Sequence, residues 1–153
     1  PEGIRLQVED IRQKAAENRH QVKVGVNGFV IARDSEQEAQ QVLQQILDQA
    51  NPDAVKGFPD EVKNAGSASP EGEGNWAKST LEDLVQYNDG FKTNLIGTPL
   101  QIARRIVALK ASGVSLMLLG FLHFQEEGEF FGREGIPLVR ELEQQQQREQ
   151  HHG

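Results

Sequence analysis

Leu81–Glu127, LEDLVQYNDGFKTNLIGTPLQIARRIVALKASGVSLMLLGFLHFQEE, carries the order of elements that decides the fold. Thr98 with Gln101 three residues on forms a capping box, and Pro99 takes the first helical position. A helix is therefore predicted from there to Ser112, burying Ile102, Ile106, Val107 and Leu109, with Gly113 ending it. Val114 to Leu119 is almost wholly apolar, as expected of a parallel strand covered on both faces by helices. The loop Gly120 to Gln125 follows and holds His123 between Leu122 and Phe124. Helix, buried strand and a loop at the strand's carboxyl end are the parts of a parallel β/α barrel, whose chemistry sits at that end of the strands.

The same alternation extends toward both termini. Ile4, Val8, Ile11 and Ala15 recur at helical spacing, which predicts an amphipathic helix ending near Asn18. Val22 to Ile31 is rich in β-branched residues and reads as a strand. Ser35 and Glu38 form a second capping box, and the helix behind it sets Ala39, Val42, Leu43, Ile46, Leu47 and Ala50 on one face. Asn51 to Ser79 is punctuated by glycine, proline and serine, with a short helical possibility at residues 60–65. So long a connection is either a functional lid, taken here as residues 56–79 with Asn75, Trp76 and Lys78, or a connector in which Trp76 pins the chain to the barrel wall. Ser79 with Glu82 starts a short helix to Tyr87, and Asn94 to Gly97 is at most a brief strand. A last helix is predicted from Glu126 to Glu143, its early turns weakened by Gly128, Gly132 and Gly135. Gln144 to Gly153 is a low-complexity tail.

About three β/α units plus a lid insertion thus emerge, in an α/β chain of 153 residues. A complete (β/α)₈ barrel takes about 250 residues, so the expectation is the carboxyl-terminal portion of one, over residues 1–143. With 37% hydrophobic residues a core is affordable, and no apolar run approaches a membrane span of roughly 20 residues. The absence of cysteine excludes disulfides and thiolate chemistry and agrees with a cytoplasmic setting. A net charge of −7 argues against a nucleic-acid surface. No histidine–carboxylate cluster has metal-ligand spacing, and no phosphate-binding glycine fingerprint occurs.

Few residues remain to carry chemistry. His123, just past a buried strand, suits proton transfer near neutral pH, or else clips the loop by bonding Glu126 or Glu127. Asn27 and Phe29 share parity on the first strand and face the same way. Arg33 lies at that strand's carboxyl end, where a surface pair with Asp34 or Glu36 is the default. Thr98-Pro99 offers a helix start for an anion, or merely a capped helix.

VGVNGFVIARDSEQEA, IGTPLQIARRIVALKASGV and LLGFLHFQEE together resemble the flavin-dependent luciferase-like monooxygenases. Within them, NWAKSTLEDLVQYNDGFKTNLIGTP is most similar to the FMNH₂-dependent dimethyl sulfone monooxygenases. The resemblance implies a full barrel, with FMN reduced by a separate NAD(P)H:FMN reductase, using O₂ to oxidise dimethyl sulfone to methanesulfinate and formaldehyde. It implies that this chain alone is inactive, since most flavin contacts would lie in sequence before Pro1; the open strand edges of an incomplete barrel predict that the chain self-associates or pairs with the remaining half. Related alkanesulfonate monooxygenases carry arginine, histidine and tyrosine at the positions matching Asn27, Phe29 and Phe121. Those neutral residues would leave a sulfonate unpaired, whereas they suit an uncharged sulfone. An alkanesulfonate or methanesulfonate enzyme and a non-catalytic half-barrel assembly module are the alternatives.

Overall fold

The computed structural model describes residues 2–51, 53 and 90–151. The expected lid at 56–79 with Asn75, Trp76 and Lys78, and the helices expected at 60–65 and 80–87, lie outside them. Element order is α1 (Glu2–Glu17), β1 (Val24–Ala32), α2 (Glu36–Gln49), a 3₁₀ turn at Gly90–Thr93, β2 (Ile96–Gly97), α3 (Pro99–Ala111), β3 (Val114–Phe121) and α4 (Phe124–His151).

Local chemistry accounts for most of these boundaries. Ser35 Oγ accepts from the Glu38 amide while Glu38 accepts from the Ser35 amide, and Thr98 and Gln101 repeat the exchange at α3. Gly113 leaves α3 with φ +98°, a conformation in which a side chain is strained, and Val8 and Arg12 of α1 close over it. Arg12 donates to the Gly113 carbonyl at 2.9 Å, which ties α1 to the start of β3.

The three strands are parallel in the order β2-β1-β3. A stretch of closed barrel would run β1-β2-β3, each strand beside its successor. Here β2 contributes only Ile96 and Gly97, opposite Ile31 and Ala32, and is too short to intervene between longer neighbours. β3 instead pairs directly with β1 from Val24–Val114 to Val30–Phe121, with one register shift at Val24/Gly25. The α/β class expected of part of a barrel holds; the neighbour order is a property of this sheet.

Two apolar clusters flank the sheet. Val24, Val26, Val30 and Ala32 of β1, with Met117, Leu119 and Phe121 of β3, pack against Val8, Ile102, Leu109 and Phe131 from α1, α3 and α4. Phe29, Ile31 and Ile96 pack on the reverse side against Ala39, Val42, Leu43 and Ile46 of α2 and against Phe91. α2 reaches only the carboxyl half of that side. Leu116 and Leu118 stay 66% and 70% exposed, so β3 is covered on one face and not on both as its composition suggested. Apolar composition reports what a strand can bury, and nothing among the described residues lies over these two leucines.

β3 also runs two residues further than expected, to Phe121, and α4 runs Phe124–His151 rather than Glu126 to Glu143. Glutamine, glutamate and arginine are good helix formers, and no glycine or proline interrupts Leu138–His151, so the low-complexity segment continues the helix. The α4 glycines are not equivalent. Gly132 has open space around it, whereas a Cβ on Gly135 would run into the buried Phe131 ring one turn earlier. Gly132→Ala should therefore raise unfolding stability by up to about 1 kcal/mol, the usual helical difference. Gly135→Ala should lower it by about 1–3 kcal/mol through overpacking. Thermal midpoints of the two variants moving in the same direction would contradict this placement.

Candidate functional site

Parallel register decides which expected site residues share a surface. Asn27 is opposite Leu118 and Phe29 is opposite Gly120, so these four occupy one face together with Gly25 and Leu116. Phe29 meets Phe91 edge to face, with ring centroids 5.2 Å apart and planes at 89°. Gly120 leaves room beside the Phe29 ring, which lies 3.5 Å from where a Cβ would stand. Asn27 is exposed and borders a cleft of about 460 Å³ shared with Ile4, Gln7 and Val8 of α1 and with Lys92 and Thr93. The sheet face itself is a neutral wall of one amide, one ring and two leucines, and the cleft beside Asn27 adds the cationic Lys92.

Phe121 does not join that wall. It is opposite Val30, on the face turned toward α4, with its ring 6.2 Å from Phe131 and 6.4 Å from Phe124. Parity within β1 reads correctly from sequence, but matching it to β3 needs the register, which sequence alone does not supply. The residues that sequence reasoning missed on this face are Leu116, Leu118 and Phe91. Their signal was present only as apolar character, which equally suits a covered core.

His123 stands two residues beyond β3, where its main chain begins α4. Its carbonyl accepts from the Glu127 amide at 2.9 Å, and its own amide donates to Glu127 Oε2 at 3.1 Å. The clip anticipated for the imidazole is thus made by the backbone; the exposed ring has no hydrogen bond to a described residue. Arg33, expected to pair with Asp34 or Glu36, reaches across to Glu127 Oε1 at 2.5 Å and donates to the Ala32 carbonyl at 2.7 Å. Asn27 lies three residues inside the last β1–β3 pair, roughly 10 Å at about 3.3 Å per residue. Asn27 therefore sits deep in the sheet face and His123 at its carboxyl rim, which suits separate tasks.

Helix starts are the natural cradle for a phosphate. Three of the four described starts are already engaged: those of α2 and α3 by their capping boxes, with the Gln101 side chain filling the space beside Gly97, and that of α4 by Glu127. The starts of α2, α3 and α4 therefore do not fit a flavin phosphate. Among the described residues, no cluster of three or more histidines and carboxylates could hold a metal, and no helix is long and apolar enough to cross a membrane.

A parallel α/β sheet with helices packed on it is consistent with part of a β/α barrel. Comparison with known families agrees: the luciferase-like monooxygenase family matches residues 1–116, and the chain belongs to that family. It is 74% identical over 144 residues to the FMNH(2)-dependent dimethylsulfone monooxygenase of Pseudomonas putida, covering 94% of this chain and 40% of that protein. It is also 74% identical over 142 residues to the protein of that name in Pseudomonas fluorescens (strain Pf0-1), covering 93% and 39%. The sulfoquinovose monooxygenase of Novosphingobium aromaticivorans is 22% identical over 146 residues, covering 89% and 40%. The chain spans about two fifths of the length of these curated relatives.

Proposed function

We propose that this chain is the carboxyl-terminal part of a two-component, FMNH₂-dependent monooxygenase. With O₂, the complete enzyme oxidises dimethyl sulfone to methanesulfinate and formaldehyde, the second oxygen atom leaving as water. The observation that carries this is 74% identity over nearly the whole chain to two proteins of that name. A sulfonate-type reading is less favoured, since the likeness to the sulfoquinovose enzyme is only 22%.

The neutral wall supports the same substrate. A sulfonate buried against Asn27, Phe29, Leu116 and Leu118 would lose its hydration with no cation on that face in return, a cost of several kcal/mol, Lys92 lying instead along the cleft beside Asn27. A sulfone carries no charge and asks only for a donor at an oxygen and apolar contact at its methyl groups. In this reading Asn27 supplies the donor, Phe29 and its neighbours exclude water, and His123 is the proton-transferring group at the rim. Phe121 acts from behind, as packing under the rim. Asn75, Trp76 and Lys78, within residues 56–79, form the lid.

Residues 1–143 would belong to the barrel, with 144–153 extending past it. The flavin would be held chiefly by parts of the enzyme outside this chain, reduced by an NAD(P)H:FMN reductase in the cytoplasm. The exposed Leu116, Leu118 and Phe124 favour association with that remainder or with another subunit. The test pairs two measurements. The full-length enzyme, supplied with reductase, NADH, FMN and dimethyl sulfone, should release one formaldehyde per sulfone consumed. FMN titrated into the 153-residue chain alone should show no saturable fluorescence quenching at micromolar concentration. No formaldehyde from the full-length enzyme would remove the substrate assignment; tight FMN binding by the chain alone would move the flavin site into it.

A further inference from the structure

We propose that Arg33 and Glu127 are positioning residues that hold the His123 loop at the rim of the sheet, so that the main chain is fixed while the imidazole stays available. The inference deepens the reading of His123 given above and rests on it. One carboxylate does two jobs. Its Oε2 accepts from the His123 amide at 3.1 Å, and its Oε1 takes the Arg33 guanidinium at 2.5 Å. Arg33 is in turn anchored at 2.7 Å to the Ala32 carbonyl, at the carboxyl end of β1. The clamp therefore joins the ends of β1 and β3 through side chains 94 residues apart in sequence, and both are largely covered, at 26% and 12% exposure.

A helix cap alone would need only the contact between Glu127 and the His123 amide. An ion pair alone would need only Arg33. Their convergence on one carboxyl group sets the position of residue 123 relative to β1, the strand that carries Asn27 and Phe29. Charge-assisted bonds of this kind are short and directional, and the guanidinium's second nitrogen, held by the Ala32 carbonyl, fixes the arginine that grips the carboxylate. The His123 ring, with no bond to a described residue, is what such a scaffold leaves over.

Glutamine at 127 keeps the shape but cannot accept at both ends, since its amide nitrogen only donates. In the 153-residue chain, Glu127→Gln should speed hydrogen exchange of the His123 amide at least about tenfold, with Ile102 and Leu119 unchanged. In the full-length enzyme it should lower kcat by about 10- to 100-fold, the range for a displacement of up to about 1 Å, with KM for dimethyl sulfone within about twofold. The double exchange Arg33→Glu with Glu127→Arg separates positioning from stability. It restores an ion pair, and should recover the thermal midpoint, yet arginine cannot accept from the His123 amide. Amide protection and kcat should therefore stay low. Unchanged His123 exchange in E127Q, unchanged kcat, or full recovery of kcat in the double exchange would each overturn the proposal. A wild-type enzyme inactive on dimethyl sulfone would instead remove the substrate reading, and the exchange data would decide the clamp by themselves.

Discussion

Phe131→Ala is expected to destabilise the 153-residue chain by about 3–5 kcal/mol, the range for emptying a fully buried aromatic site. Phe131 is 1% exposed and forms one cluster with Val8, Val30, Ile102, Leu109 and Val114. It is the described α4 side chain that enters this core fully, with the Phe121 ring 6.2 Å away and Gly135 beneath it. Collapse into the vacated volume is restricted, because the neighbours come from α1, α3 and both long strands at once. Single domains are stable by only about 5–15 kcal/mol, so the variant should unfold at markedly lower urea with a similar slope. Circular dichroism through a urea titration reads both quantities. A loss below about 1 kcal/mol would mean that α4 is held by its surface pairs, such as Lys110–Glu143 at 2.6 Å, rather than by this ring.

The second large effect concerns chemistry. Under the proposed function, Asn27→Arg in the full-length enzyme should lower kcat/KM for dimethyl sulfone by about 100-fold or more. Asn27 shares its face with Phe29 and stands opposite Leu118, so a guanidinium there meets a ring and aliphatic groups. Desolvating it without a counter-charge costs several kcal/mol, and an uncharged ligand gives little back. About 2.7 kcal/mol lost from the transition state is the stated hundredfold. An alkanesulfonate should meanwhile bind better than it does to the wild type, because it supplies the missing charge. Retained circular dichroism and FMN binding would show that the variant is folded. Unchanged sulfone kinetics would take Asn27 out of the substrate wall.

What could be read in the sequence was whatever depends on neighbours along the chain. Ser35 with Glu38 and Thr98 with Gln101 form their capping boxes as expected, because a cap involves four consecutive residues. The shared face of Asn27 and Phe29 follows from strand alternation. What could not be read depends on partners far away. Phe121 was grouped with Asn27 and Phe29, but its side of the sheet is set by pairing with Val30, after a register shift near Gly25. The exposure of Leu116 and Leu118 follows from where α2 stops, which their own composition does not encode. Arg33 found its partner 94 residues on, although two acidic residues stood nearby. The α4 extension to His151 was missed because a glutamine-rich run was taken as tail, despite its helical propensity.

The β1–β3 ladder also governs the pace at which the molecule acquires its shape. Its partners are about 90 residues apart, so the chain must close a long loop before a single bond of that ladder rewards it. The capped helices need no such search and form within about a microsecond. High sequence separation of contacts slows folding, which makes the meeting of β1 and β3 the late step. Until it occurs both strand edges stand open, and pairing with another chain competes with ladder closure.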